Sequence, residues 1–338
     1  MKIWKKTVYI SGALILAIGL ILSFMTYDKG IKSLESQPIS QEDRNEVTKD
    51  FSNINHLDLS TSNVDVNIIE SPYDKTHVTY FMDKNLPITI SEDKGHLTIV
   101  ENIKSSKTHF NFISLKNLVH YKEQLTVRID SPNHVTIKLP KDSLIKNLKA
   151  NTSTGNFIIQ NVAVDHISLD SKAGDLTITD SVIKSGTMDF KALSATINKS
   201  DLNLEKMSLN AGNLDIDEST LQIATISKNA ADLMISDSKT MNTSLKSSAG
   251  DSTFRNTTLD TFKIDMNMGS FIGRKMTFKN ENTITSNMGD IDISLTDYDL
   301  HAFFDKSKLG DTDLSTKLKN QSSNTLMINQ NGGDTIIK

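Results

Sequence analysis

Cysteine is absent from this 338-residue chain, tryptophan occurs once, and aromatic residues make up only 6% of the sequence. Without cysteine there is no disulfide framework, no cysteine nucleophile, no iron–sulfur cluster and no thiolate-bound zinc. The single tryptophan is Trp4, so the rest of the chain cannot build a sugar site on stacked indoles. A charged fraction of 23% is typical of an ordinary packed protein.

An excess of positive charge is also missing. The chain has 37 Lys and Arg against 41 Asp and Glu, a formal net charge of −4, and the two signs are interleaved. Neutralising nucleic-acid phosphates requires a basic footprint, so we expect no nucleic-acid partner.

One long apolar run stands near the N-terminus. Thr7 to Tyr27 are 21 consecutive uncharged residues. As a helix rising about 1.5 Å per residue, this run is long enough to cross a hydrocarbon core about 30 Å thick. Lys2, Lys5 and Lys6 precede it, and the positive-inside rule then predicts a cytoplasmic N-terminus. We therefore predict a single-pass anchor in the cell membrane, with everything after Tyr27 extracellular.

A cleaved signal peptide is the alternative interpretation of this run. It would require a small-x-small cleavage site after the apolar residues, and the sequence offers none. An exported protein without cysteine fits a Gram-positive envelope. The predicted organisation is a cytoplasmic tip and transmembrane helix over residues 1–27, followed by a polar juxtamembrane linker over residues 28–52.

The strongest pattern is a repeat of about nineteen residues, centred on a small residue, a glycine, and an acid, amide or serine. The spacing is nineteen up to Gly269 and then stretches to 20, 21 and 23. The ten equivalent positions are Gly155, Gly174, Leu193, Gly212, Ala231, Gly250, Gly269, Gly289, Gly310 and Gly333. Since the glycine is missing at Leu193 and Ala231, the sequence predicts an altered turn there.

Apolar residues recur at fixed distances from each glycine. After Gly174, for example, Leu176 and Ile178 alternate with polar residues, and Ile183 and Met188 follow nine and fourteen residues after the glycine. This indicates three short strands per repeat, separated by polar turns. Nineteen residues are too few for a propeller blade or a helical pair, but they fit one coil of a β-solenoid. The predicted fold is all-β, a single-stranded β-solenoid (β-helix) of 19–21-residue coils over residues 151–338, preceded by the transmembrane helix.

Residues 53–150 lack this register but still alternate in the manner of strands, as in Leu125–Ile129 and Val135–Leu139. The end of a solenoid exposes unpaired strand edges that would otherwise pair with other chains. We therefore expect residues 53–150 to form an irregular β lead-in that caps the solenoid.

Three segments carry a resemblance to a known family: Ile137–Pro140, Asn151–Asn156 and Ile167–Leu176. They resemble the bacterial putative-adhesin family, a domain of unknown function built of β-strand repeats, over roughly residues 53–338. The resemblance implies a membrane-anchored, surface-facing, non-enzymatic envelope protein, in some cases associated with envelope-stress systems. It implies no catalytic residue.

Motifs that carry chemistry are missing. The eight histidines are isolated, and there is no His-Glu-x-x-His, no phosphate-binding glycine loop and no Gly-x-Ser-x-Gly. We therefore predict no catalytic, cofactor-binding or metal-binding residue and no cofactor. One acidic set could stack closely enough to hold Ca²⁺, although the nonapeptide period of calcium-binding repeats is absent and a solvated acidic ladder is the favoured interpretation. Its members are Asp290, Asp292, Asp311 and Asp313, with Asp334 beyond.

The stretch from Asn102 to Lys122 contains no acid. It could contact an anionic envelope polymer or lipid, or it could cover the end of the solenoid. Its basic and aromatic residues are Lys104, Lys107, Lys116 and Lys122 with Phe110, Phe112 and Tyr121.

Taken together, these features predict an extracytoplasmic β-solenoid that acts as an adhesin-like or envelope-stress sensory interaction surface and catalyses no reaction. Its expected partners are the membrane, through the anchor, and an anionic envelope polymer or another envelope protein. The alternative function is a β-helical enzyme acting on cell-wall or capsular polysaccharide. Such an enzyme needs long loops at adjacent coils, and between Gly155 and Gly289 the spacing varies by one residue.

Overall fold

The computed structural model describes residues 45–82, 88–101, 134–305, 310–319 and 321–338. All of them belong to one unit, residues 45–338. In these ranges every regular element is a β-strand, which confirms the all-β prediction there. Among the same residues, none form a helix with the length and apolar character of a membrane span. The predicted anchor at Thr7–Tyr27 lies outside the described residues.

The strands are numbered in chain order. They are β1 Asn45–Phe51, β2 His56–Asn63, β3 Asp65–Ser71, β4 Thr76–Met82, β5 Ile88–Asp93, β6 His96–Glu101, β7 His134–Pro140, β8 Leu144–Thr154, β9 Phe157–Gln160, β10 Ala163–Thr179, β11 Val182–Ile183, β12 Gly186–Asn198, β13 Asp201–Asp217, β14 Thr220–Ser236, β15 Lys239–Ala249, β16 Ser252–Arg255, β17 Thr258–Met268, β18 Phe271–Lys279, β19 Glu281–Met288, β20 Ile291–Leu295, β21 His301–Phe304, β22 Thr312–Leu314, β23 Thr325–Gln330 and β24 Thr335–Ile337.

Successive coils stack as parallel strands in a nineteen-residue register. Ile178 of β10 is paired with Ile197 of β12, which is paired with Ile216 of β13 and then Ile235 of β14. Each of these side chains is at most 1% exposed. Burying a side chain of this size contributes about 1.5–3 kcal/mol, and the column repeats along the core. The predicted β-solenoid with nineteen-residue spacing is therefore confirmed.

The coils have fewer breaks than three short strands with polar turns would produce. β10, β13 and β14 are each continuous over 17 residues and bend within the strand. One bend lies at the repeated glycine. Gly174 has φ +112°, and a Cβ on it would lie 2.1 Å from the carbonyl oxygen of Gly155 in the preceding coil. Only glycine fits there, because the coils stack directly upon each other.

A second turn has a backbone conformation that the sequence did not predict. It occurs six residues after the repeated glycine, where the backbone adopts φ of about 50° in the left-handed region. The residues at this turn recur every nineteen positions and are Asn161, Asp180, Lys199, Glu218, Asp237, Asn256 and Lys275, and Asp142 takes the equivalent place nineteen residues before Asn161. Their types are too varied to stand out from the sequence.

The altered turns predicted at Leu193 and Ala231 have a simple form. Neither residue adopts a positive φ, and their side chains are buried, with 5% and 4% exposure. The chain therefore turns here with the side chain directed into the core. In the next coil, a Cβ on Gly212 would still lie 1.9 Å from the carbonyl oxygen of Leu193.

The N-terminal end combines parallel and antiparallel pairing. β2 and β3 form a coil that stacks in parallel on β8 and β9, with Leu57 paired with Leu148. β6 and β7 then stack in parallel on β2 and β3, with Leu97 paired with Leu57. β5 pairs antiparallel with β6. β4 pairs antiparallel with β7, and β1 pairs antiparallel with β4. Strand β1 falls inside the range 28–52 that the sequence predicts to be a linker.

The C-terminal end does not stack in chain order. β23 lies between β19 and β21, and β24 lies between β20 and β22. Gly333 therefore lies between Gly289 and Gly310. The physical reason is burial. Leu326 and Ile328 of β23 are at most 1% exposed and need neighbours on both sides, whereas all of β22 is exposed and suits an edge.

Candidate interaction surface

A groove of about 520 Å³ crosses six coils on one side of the solenoid. Two outward-facing columns of residues line it, with six residues in the first column and five in the second, each from a different coil. We call it the polar groove. The first column is Asp189, Ser208, Ser227, Lys246, Asp265 and Thr285, and the second, two residues further along each strand, is Asn210, Asn229, Ser248, Asn267 and Asn287.

The asparagines of the second column are bonded to one another along the solenoid axis. Asn229 Nδ2 donates to Asn210 Oδ1 at 2.9 Å, and Asn287 Nδ2 donates to Asn267 Oδ1 at 2.7 Å. Asn331 continues this ladder by donating to Asn287 Oδ1 at 2.6 Å. Each amide has two N–H donors and two acceptor lone pairs, so the ladder uses only part of its capacity. The remaining donors and acceptors belong to exposed side chains held in fixed positions.

A buried lysine lies between the two columns. Lys228 is 4% exposed, and its Nζ donates to the carbonyl oxygens of Gly250 at 2.7 Å, Asp251 at 2.9 Å and Ala231 at 3.0 Å. Burial lowers the pKa of the Lys228 ammonium to about 8, although the carboxylates of Asp232 and Asp251 act in the opposite direction. The lysine thus joins two coils at the place where Ala231 replaces the repeated glycine.

The same inward position is also polar in later coils, at Ser247, Ser286 and Gln330. Gln330 is 9% exposed, and its Nε2 donates to the carbonyl oxygens of Gly289 at 2.9 Å and Asp334 at 3.3 Å. A neutral amide there performs the bridging that the ammonium of Lys228 performs four coils earlier. Both side chains satisfy backbone carbonyls at a turn, which would otherwise be costly to bury.

The acid or amide that follows each repeated glycine has a structural role. Asn156 Oδ1 accepts from the Asp175 N–H at 3.0 Å, and Asp232 Oδ1 accepts from the Asp251 N–H at 2.9 Å. Asp251 Oδ1 in turn accepts from the Ser270 N–H at 2.8 Å. Each side chain therefore caps the backbone of the next coil, which explains why short acceptor side chains recur at this position.

The acidic set at the C-terminal end is not brought together as four adjacent carboxylates. Asp334 separates Asp290 from Asp311, since Asp290 Oδ1 accepts from the Asp334 N–H at 2.9 Å and Asp334 Oδ1 accepts from the Asp311 N–H at 3.0 Å. Asp292 forms an ion pair of 2.5 Å with Arg274. In the described part of the chain, no group of three or more acids or histidines is placed to hold a metal ion.

Other predicted features are dispersed. His77 pairs with Asp50 at 2.6 Å, and His166 contacts Ser185 at 3.0 Å, so these two histidines bond to different surface residues. The acid-free stretch from Asn102 to Lys122 lies outside the described residues.

Sequence reasoning missed both the polar groove and Lys228. The nineteen-residue register did contain a signal for the lysine, because Leu209 and Met266 occupy the same inward position one coil before and two coils after it. The groove gave a weaker signal, since isolated asparagines and serines on outward positions are common on any soluble surface.

Comparison with known proteins identifies a family. The family model described as Toastrack DUF4097 matches residues 54–337. One solved structure found is a putative cell adhesion protein from Clostridium sporogenes ATCC 15579, 12% identical, covering 87% of this chain and 99% of that chain with a TM-score of 0.20. Another is a putative adhesin from Bacteroides fragilis NCTC 9343, 12% identical, covering 87% and 96% with a TM-score of 0.30. No curated protein matches the chain significantly.

The two structural likenesses are too distant to support an argument about activity. The family match is different, because it extends over nearly the whole repeat-bearing part of the chain. It confirms the predicted relationship to the family of β-repeat domains. The protein therefore belongs to the Toastrack DUF4097 family.

Proposed function

We propose that this protein is anchored in the cell membrane by residues 7–27 and displays its β-solenoid outside the cell as an adhesin-like or envelope-sensing interaction surface, with no reaction of its own. The observation that supports an interaction surface is the unbroken register of the coils. From β8 to β19 each strand pairs in parallel with its equivalent, and outward positions form continuous columns. A long periodic surface suits the binding of an extended partner.

The alternative, a β-helical enzyme acting on wall or capsular polysaccharide, finds little support in the groove. Hydrolysis of a glycosidic bond requires two carboxyl groups about 5–9.5 Å apart on either side of that bond. The groove acids Asp189 and Asp265 are separated by four coils, about 19 Å at a strand spacing of about 4.8 Å. Asp170 is the neighbour of Asp189 in the preceding coil, but both acids lie in the same column and cannot flank a substrate.

The first experiment tests display. Protease added to intact, wall-stripped cells should remove everything beyond the anchor, because residues 28–338 are proposed to be extracellular. A cytoplasmic protein in the same cells serves as the control for lysis. Survival of the full-length chain until the cells are permeabilised would reverse the proposed topology.

A second experiment tests interaction. Cells producing the full chain and cells lacking it are compared for attachment to isolated envelope material and for cross-linked partners on the intact surface. Attachment that depends on the chain supports the proposal, and equal attachment contradicts it. The basic stretch from Asn102 to Lys122 remains a separate prediction for an anionic polymer, tested by changing Lys104, Lys107, Lys116 and Lys122 to Gln.

A further inference from the structure

The polar groove has a spacing that discriminates between classes of linear polymer. Its columns present one residue per coil, so equivalent groups recur about every 4.8 Å along the solenoid axis. An extended peptide presents side chains of one face about every 6.6–6.8 Å and would lose register within two coils. In an extended β-1,4-linked glycan successive sugars face opposite ways, so groups of one face recur at every second sugar, a distance close to two coil spacings. Such a chain could place one sugar on each coil.

The charge of the groove disfavours an anionic polymer. Among its exposed lining residues, the acids Asp189 and Asp265 are opposed by Lys246 alone, because Lys228 is buried, so the groove has no excess of positive charge. Most of the other lining residues are Ser, Asn and Thr, whose side chains donate and accept hydrogen bonds without carrying charge. The groove has no basic surface to attract a nucleic acid or a strongly anionic polymer, whereas its polar side chains can form hydrogen bonds with the hydroxyl groups of a polyhydroxylated chain.

The groove is also organised before any ligand arrives. The ladder bonds between Asn210 and Asn229 and between Asn267 and Asn287 fix the amides, and parallel strands fix the backbone beneath them. Side chains that are already ordered lose little conformational entropy on binding. The groove extends over about 24 Å, from the coil of Asp189 to the coil of Thr285, which accommodates about six sugars at one per coil.

We infer that the polar groove binds an extended, neutral, β-linked glycan lying along the solenoid axis, one sugar per coil, without cleaving it. The inference rests on the proposed function and names the chemistry of the partner. Asn210, Asn229, Asn267 and Asn287 bond the sugar hydroxyls from one wall. Ser227 bonds them from the other.

The test uses the purified full-length chain and β-linked glucose and N-acetylglucosamine oligomers of one to eight units, with oligogalacturonate as the anionic comparison. Affinity for the neutral oligomers should rise by about tenfold from dimer to hexamer and then level off, because further sugars extend beyond the groove. The double variant Asn229→Ala with Asn267→Ala should lose about tenfold in hexamer affinity, as expected for two or more lost hydrogen bonds. The double variant Asn203→Ala with Gln222→Ala, on another face of two coils that the groove crosses, should bind as wild type.

Changes to the ladder could also disturb the fold, so a second variant addresses the groove alone. Ser248 is exposed, and Ser248→Leu fills the groove with an apolar side chain while leaving the ladder bonds in place. It should retain the wild-type melting temperature and lose hexamer binding. Equal binding by Ser248→Leu, an affinity independent of chain length, or preference for the anionic oligomer would overturn the inference. If cells still attach through the chain in any of those cases, the proposed function stands and only the glycan assignment fails.

Discussion

The ammonium of Lys228 donates a 2.7 Å hydrogen bond to the carbonyl oxygen of Gly250, which belongs to the next coil. This bond crosses the turn at which Ala231 replaces glycine, and two further carbonyls share the same ammonium. A charged group is thus held in the core of a solenoid that is otherwise mostly apolar. Its stability effect depends on the balance between desolvation of the charge and satisfaction of the three carbonyls.

Replacing Lys228 tests whether its three hydrogen bonds stabilise the fold by more than desolvation of the ammonium destabilises it. Lys228→Met keeps the length of the side chain but leaves three buried carbonyls without this donor, and we expect a loss of about 1–3 kcal/mol in the free energy of unfolding. Lys228→Gln should lose less, because Gln330 shows that an amide can bridge the equivalent turn. Urea denaturation measures both, with Lys246→Met on the exposed groove wall as the matched control. A Met variant as stable as wild type would mean that the three bonds only offset the cost of desolvation.

The lowered pKa of Lys228 also predicts a pH dependence. Below about pH 8 the lysine is protonated in both the folded and the unfolded chain, and the full cost of burying its charge is present. Between about 8 and 10.5 the unfolded chain binds more protons, so the free energy of unfolding rises with pH, by about 3 kcal/mol at most. The difference in stability between wild type and Lys228→Gln should therefore shift in favour of wild type from pH 7 to pH 10. A difference that stays constant over this range would contradict the assignment.

The repeated glycine should tolerate no side chain where its φ is positive. Gly212 has φ +115°, and a Cβ on it would lie 1.9 Å from the carbonyl oxygen of Leu193. Gly212→Ala should therefore cost roughly 2–4 kcal/mol, from the unfavourable φ and from separation of the coils. Ala231→Gly is the matched control, since Ala231 does not have a positive φ and the change should cost only about 0.5–1 kcal/mol. Similar melting shifts for the two variants would show that the two turns do not differ as described.

Much of the core follows from the sequence, because a nineteen-residue period with alternating apolar residues is sufficient to place Ile197, Ile216 and Ile235 in one column. The left-handed turn at Asp180 and Lys199 does not follow, since unlike side chains share a backbone conformation that stacking imposes. The position of Gly333 between Gly289 and Gly310 could not be predicted either, because a periodic pattern identifies equivalent coils but does not fix their spatial order. The polar groove is a product of that stacking and has no signature in any single repeat.

The acids that follow the repeated glycine should stabilise the solenoid without calcium. Asp290 Oδ1 already accepts a 2.9 Å hydrogen bond from the Asp334 N–H. Asp290→Asn keeps an acceptor oxygen and should change stability little, whereas Asp290→Ala should lose about 1 kcal/mol. Thermal melts with millimolar CaCl₂ and with a chelator should coincide for wild type and both variants. A calcium-dependent rise in melting temperature that disappears in Asp290→Asn would instead assign a cation site to this ladder.

The interleaved C-terminal end gives the sharpest test of the fold, because the chain has no cysteine of its own. Asp292 is paired with Ile336, and Ile336 is paired with Asp313, so Asp292 and Asp313 are separated by two strand spacings, about 10 Å. A disulfide requires Cα atoms about 4.4–6.8 Å apart. The double variant Asp292→Cys with Ile336→Cys should therefore cross-link under mild oxidation, while Asp292→Cys with Asp313→Cys should stay reduced. Stacking in chain order predicts the reverse, since residues 301–314 would then lie directly on residues 281–295. The two gel mobilities decide between these arrangements without reference to stability.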